Sequence, residues 1–187
     1  MNTIIGLGIV LEASDKTIGQ IENIMDLVDS YKTKMEITHP KEGDYHDWIT
    51  ETVDGNIYST IEKLAYRTSY ADIEFRIGDT DVEARMSITN ETDALVVKFD
   101  IAEEHILPEK SVEHLESATQ LITQIFEIID RNVEYEYLFC DNEAEYLYSK
   151  ERLLEVGHQP YALFKMNDRN TVYAQWYLDG FTLRGSH

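Results

Sequence analysis

The sequence predicts an α+β domain: a mainly antiparallel β-sheet, organised as a meander, with helices packed on one face. Three observations carry this. From Tyr70 to Ile101 apolar and polar residues alternate, broken by two clusters of turn residues. On either side of that stretch apolar residues recur at three and four, the spacing of a helix that buries one stripe. Apolar residues make up 43% of the chain and aromatics 11%, enough for a real core.

Taken in order, Thr3 to Leu11 is rich in Ile, Leu and Val and reads as a buried central strand. Ser14 and Asp15 can cap a helix over Lys16–Tyr31, with Ile18, Ile21, Met25 and Val28 on its buried face. Thr38 to Asp54 is polar and irregular and reads as a loop with a short strand near Trp48–Val53. Asp54-Gly55 is a turn signal, and Asn56–Tyr66 reads as a short helix through Ile57, Ile61 and Leu64. The meander follows: strands near Tyr70–Ile77, Val82–Thr89 and Ala94–Ile101, with turns at Gly78–Asp81 and Asn90–Asp93. Pro108 and Ser111 introduce a long helix to Arg131, with Val112, Leu115, Ala118, Ile122, Ile125, Phe126 and Ile129 as its stripe. Val133, Tyr135, Tyr137 and Phe139 alternate with acids and read as one core-facing strand edge. A short helix over Ser149–Glu155 ends at Gly157. Strands near Tyr161–Met166 and Thr171–Leu178 close the fold.

Residues 1–183 form a single domain on this reading, and Arg184 to His187 reads as the remnant of an expression tag. A lone cysteine, Cys140, allows no intramolecular disulfide, which points to a reducing, cytoplasmic setting. No apolar run approaches the roughly 20 residues of a membrane helix.

The charge is extreme. Thirty-six Asp and Glu stand against sixteen Lys and Arg, a formal net charge of −20. Small domains usually stay soluble with a net charge of roughly 2–8. Nucleic-acid binding is disfavoured, because neutralising phosphates takes Lys and Arg. The common chemical motifs are missing. Gly6 and Gly8 lack the third glycine and the Lys-Ser/Thr of a phosphate loop. The five histidines outside the tail form no HExxH or Cys/His set, and His105 beside Glu103 and Glu104 reads as a solvated loop. Asp79 and Asp81 resemble a fragment of a calcium loop whose remaining ligands are missing. Cys140 has no neighbouring cation to lower its pKa. The expectation is no metal, no cofactor and no catalytic residue.

The acid is clustered. Glu103, Glu104, Glu109, Glu113 and Glu116 precede and open the long helix. Glu134, Glu136, Asp141, Glu143 and Glu145 follow it, interleaved with Tyr135, Tyr137, Tyr146 and Tyr148, and no Lys or Arg falls between Asn132 and Ser149. Carboxylates can steer a basic protein and aromatics can anchor it. A plain solvated face explains any one such run equally well. Tyr135 and Tyr137 fit the core better than a surface, which leaves Tyr146 and Tyr148 as the candidate anchors. The candidate partner-binding residues are therefore Glu134, Glu136, Asp141, Glu143, Glu145, Tyr146, Tyr148, Glu103, Glu104, Glu109 and Glu113.

The −20 charge, the single Cys140 and the acid–tyrosine segment Glu134–Tyr148 together resemble the immunity proteins of bacterial polymorphic and contact-dependent toxin systems. The resemblance covers size, acidity and layout along the whole chain. It rests on no motif and so assigns no residue a role. It implies a small cytoplasmic binding protein, not an enzyme, that blocks a cognate toxin domain, often a basic nuclease. Two other classes stay open: a nucleic-acid mimic or regulatory inhibitor of a host basic protein, and an enzyme without a recognisable motif.

Overall fold

The computed structural model describes residues 3–28, 35–42, 44–77, 80–109, 111–156 and 160–176. Its centre is a nine-stranded antiparallel sheet in the order β3-β2-β4-β5-β6-β1-β7-β8-β9. The strands are β1 (Ile4–Glu12), β2 (Glu36–Lys41), β3 (Asp44–Thr52), β4 (Tyr70–Ile77), β5 (Thr80–Asn90), β6 (Ala94–Ala102), β7 (Tyr137–Asn142), β8 (Leu163–Met166) and β9 (Val172–Tyr173). The helices are α1 (Thr17–Asp26), α2 (Ile57–Ala65), α3 (Glu103–Ile106), α4 (Val112–Asn132) and α5 (Lys150–Glu155).

The expected meander is β4-β5-β6, with Ile73 opposite Ala84 and Met86 opposite Phe99. β1 lies between β6 and β7, antiparallel to both, which explains its apolar run: both of its faces are buried. Ile5, Leu7, Ile9 and Leu11 point to the principal core, where they meet Ile21 and Met25 of α1 and Ala118, Ile122, Ile125, Phe126 and Ile129 of α4. Asn56 caps α2, its side chain accepting from the Tyr58 and Ser59 amides. Ser111 caps α4 by accepting from the His114 amide, and its hydroxyl also meets His114 Nδ1 at 2.8 Å.

The structure corrects several boundaries. α1 ends at Asp26; residues 29–34, including the expected end at Tyr31, lie outside the described residues. α1 has no side-chain cap, although Ser14 Oγ accepts from the Lys16 amide at 3.2 Å. The polar stretch at 38–54 is a β-hairpin, β2–β3, at the sheet's edge. β3 is exposed or half-buried on both faces along 46–52, so no apolar alternation marks it. Pro40 sits at its register shift, beyond the two rungs, Ile37–Ala71 and Thr38–Tyr70, that join β2 to β4. Val112 is 67% exposed and lies off the α4 stripe. α4 runs on to Asn132, and β7 begins only at Tyr137, so Tyr135 enters the principal core while Tyr137 enters a second one. The turn at Gly78–Asp79, the helix end at Gly157, His158 and everything after Trp176, the expected tag included, lie outside the described residues.

One helix departs from the expected side. α5 and residues 143–149 cross the face opposite α1 and α4 and close a second core of Val10, Ala94, Val96, Tyr137, Phe139, Ala144, Leu153, Tyr161 and Met166. They roof β6, β1, β7 and β8. Among the described residues nothing comparable lies over β3, β2, β4 and β5.

Candidate partner-binding surfaces

The roof forms because β1 offers a trough. Gly6, Gly8 and Val10 face away from the helices, and the two glycines bring no side chain. The ring of Phe139 fills the space over Gly8, at 2.1 Å from where a Cβ would stand. The Ala144 carbonyl occupies the space over Gly6, at 2.5 Å from the corresponding point. The chain reaches this position through Glu143, whose φ of 49° is left-handed and whose amide donates to the Ile4 carbonyl at 2.8 Å. Phenols then tie the roof down. Tyr137 Oη donates to the Tyr148 carbonyl at 2.5 Å, and Tyr161 Oη donates to the Glu145 carbonyl at 2.9 Å. Phe139 stacks on Tyr161 at 4.5 Å, and Tyr146 stacks on Tyr137 at 6.5 Å. Burial pushes the Tyr137 and Tyr161 phenols well up, so both remain neutral donors.

Much of the acid–tyrosine segment thus works inside the protein. Tyr146 and Tyr148 are half-buried against the second core. Asp141 is only 3% exposed, and its carboxylate accepts from the Ala162 amide at 3.0 Å and the Asn142 amide at 2.8 Å. Its place in the sequence-derived surface is therefore corrected: it holds β7 to the chain entering β8. Glu136 is half-buried, and desolvation, then the charge of Glu151, raises its carboxyl. Glu145 pairs with Lys98, which also stands 3.2 Å from Asp100. Glu134 is exposed, 3.9 Å from Lys16, and Glu143 is exposed. In the other cluster Glu103 is buried in the first turn of α3, a second correction, while Glu104, Glu109 and Glu113 are exposed. Cys140 is free, wholly buried, and raised well up by desolvation, so it is a core residue.

A third surface emerges where the sheet is bare. On its unroofed face lie Trp48 and Thr50 of β3, Thr38 of β2, Tyr70, Asp72 and Glu74 of β4, Glu83, Arg85 and Ser87 of β5, and Asp100 of β6. Trp48, 47% exposed, stands 6.3 Å from the Tyr70 ring. The Arg85 guanidinium lies 4.5 Å over that ring, with Nε 3.3 Å from Asp72 Oδ1. Thr38 and Thr50 meet through their hydroxyls at 3.0 Å. At one end the face sinks into an open depression of about 790 Å³, where Asp72, Glu74, Glu83, Arg85, Asp100 and His105 share the lining with apolar residues of β1, β4, β5 and β6. Asp100, raised by desolvation, keeps its buried Oδ1 beside the Lys98 ammonium. Alternation marks one face of β4 and β5 as wet, but it singles out none of Asp72, Glu74, Glu83 and Arg85 as a site. Glu74 comes to lie opposite Glu83 through the β4–β5 register, which alternation alone does not specify.

Among the described residues no group of three or more His, Cys, Asp or Glu is placed to hold a metal ion, and no helix is long and apolar enough to cross a membrane. Compared with known proteins, the chain matches the family model described as Immunity protein 64 over residues 12–184. No curated protein and no solved structure matches it.

Proposed function

The chain belongs to the Immunity protein 64 family, and from that premise we propose that it binds and neutralises a cognate toxin domain whose surface is basic. The observation that carries the reading is the extent of the match, residues 12–184, which takes in every helix and eight of the nine strands whole. The −20 charge supports the choice of a basic partner. A toxin that attacks nucleic acid must present Lys and Arg to phosphates, and an acidic protein seated in that cleft excludes the substrate. Exposed Glu104, Glu109, Glu113, Glu134 and Glu143, with Glu145 beside Lys98, supply the long-range field. Such a field raises association rates by about 10–10³-fold. The protein acts by occupying a surface and transforms no substrate. Its buried thiol suits a cytoplasmic setting.

The test is to sequence the genes that flank this one, co-express the chain with any toxic C-terminal domain they encode, and follow binding kinetics across a salt series. The chain should restore growth, and association should slow as salt screens charges beyond about 8–10 Å. Growth arrest that persists, with no complex formed, would sink the toxin reading. Rescue with a salt-indifferent on-rate would leave neutralisation standing and remove the basic partner.

A further inference from the structure

We propose that the unroofed sheet face over β3, β2, β4 and β5 is the docking centre, and that its occupant is an arginine-bearing element of the basic protein partner. This rests on the toxin-binding reading and adds the surface and the side chain recognised.

A polar outer face is ordinary for an antiparallel sheet, so exposure alone argues nothing. The register does. Along β4–β5, Asp72 lies opposite Arg85 and Glu74 opposite Glu83. The first rung is a complementary pair in contact at 3.3 Å. The next sets two exposed carboxylates directly across from each other, an arrangement that destabilises a sheet. Among the described residues no cation bridges them. Asp100 faces the same depression and adds negative charge there, although its Oδ1 already stands 3.2 Å from Lys98 Nζ, so the unrelieved opposition is that of Glu74 and Glu83 alone. The fold thus maintains a cost that an incoming cation would remove.

The protein itself shows which cation the face accommodates. Arg85 lies over the Tyr70 ring while its Nε reaches Asp72. A ring plane plus a carboxylate at its edge suits a planar guanidinium, which stacks and donates along two directions; a lysine ammonium, a hydrated point charge, uses this less well. Glu74 with Glu83 offers the next arginine its carboxylates, and Trp48 beside Tyr70 offers it, or an apolar neighbour, an aromatic plate. Aromatic anchors surrounded by charge are the pattern of interface hot spots. The depression is open and the face extends across several strands, which suits a segment of protein better than an enclosed small molecule.

The experiment uses hexa-arginine and hexa-lysine peptides at physiological salt, followed by backbone amide shifts of the labelled full chain. The arginine peptide should bind at least about threefold more tightly than the lysine peptide, with shifts concentrated at Tyr70–Glu74 and Glu83–Ser87. Glu74→Gln/Glu83→Gln should weaken it by at least about tenfold. Glu22→Gln/Glu62→Gln, the same charge change on α1 and α2 of the opposite face, should alter it less than about twofold. Equal losses from both double variants, equal affinity for the two peptides, or shifts centred on residues 134–151 would each overturn the proposal. The peptide result decides the face whether or not the toxin is neutralised. If the chain rescues growth and Glu74→Gln/Glu83→Gln rescues it equally well, the face falls and the toxin reading stands.

Discussion

Over β6, β1, β7 and β8 the second face of the sheet lies under residues 143–149 and α5; over β3, β2, β4 and β5 it meets water. The roofed half contains the densest acid and tyrosine in the sequence, yet Asp141 is spent on backbone amides, and Tyr137 and Tyr161 on holding the roof. The open half has fewer acids, but alternation presents Asp72, Glu74 and Glu83 outward, and the register sets two of them face to face. Acid density along a chain is therefore a poor guide to the charge a partner meets; strand phase and cover decide it.

If the roofed half is a true second core, Phe139→Ala should be the most damaging change, costing about 3–5 kcal/mol in chemical denaturation. A loss under about 1 kcal/mol would reduce the roof to a loose flap. The trough beneath it offers a test with opposite signs. Gly8→Ala drives a methyl into the Phe139 ring and should cost about 1–3 kcal/mol. Gly19→Ala, in α1 with nothing within 4 Å of the new methyl, should stabilise by roughly 0.5–1 kcal/mol.

Smaller effects sharpen the boundary between the halves. Asp100 and Glu136 have carboxyls raised by desolvation. The folded state therefore binds their protons more tightly than the unfolded chain does. Their contribution to stability grows as pH falls through the raised values, and levels off below the ordinary carboxylate range of about 4. Glu136→Gln should flatten that slope in denaturation curves taken across pH; an unchanged slope would show that the half-buried carboxyl is not protonated preferentially in the fold. The smallest change belongs to the open half. Glu83→Gln should raise stability slightly, by about 0.2–1 kcal/mol, because it relieves the opposition to Glu74. A clear loss instead would mean that Glu83 supports the fold.

The sequence made the meander legible because β4 and β5 have one wet face and so announce their period. It made α4 legible for the same reason: Ala118, Ile122, Ile125, Phe126 and Ile129 are a stripe against polar neighbours. β7 was misplaced because Tyr137 to Asp141 are buried on both sides, which erases alternation, while Val133 and Tyr135 simulate a strand after the helix end. β2 and β3 are hidden by the converse: β3 is exposed or half-buried on both faces of the edge hairpin, so neither face reads as apolar. As for the binding surface, the exposed Glu104, Glu109, Glu113, Glu134 and Glu143 were readable as surface acids. Asp141 and Glu103 were not separable from them, because burial of a carboxylate depends on the backbone amides that fold around it. The Glu74–Glu83 rung needed pairing information that composition does not hold.

The two tryptophans give the molecule a built-in pair of optical reporters. Trp176 is 2% exposed, its indole N–H donating to Thr119 Oγ1 at 2.9 Å, whereas Trp48 stands on the open face. A polar quencher such as acrylamide should reach Trp48 and leave Trp176 bright until the protein unfolds. Emission from the native chain should therefore separate into a quenchable, red-shifted fraction and a protected, blue-shifted one. A partner that covers the open face would silence the quenching of the first without touching the second, so a single cuvette can tell a docked molecule from a melted one.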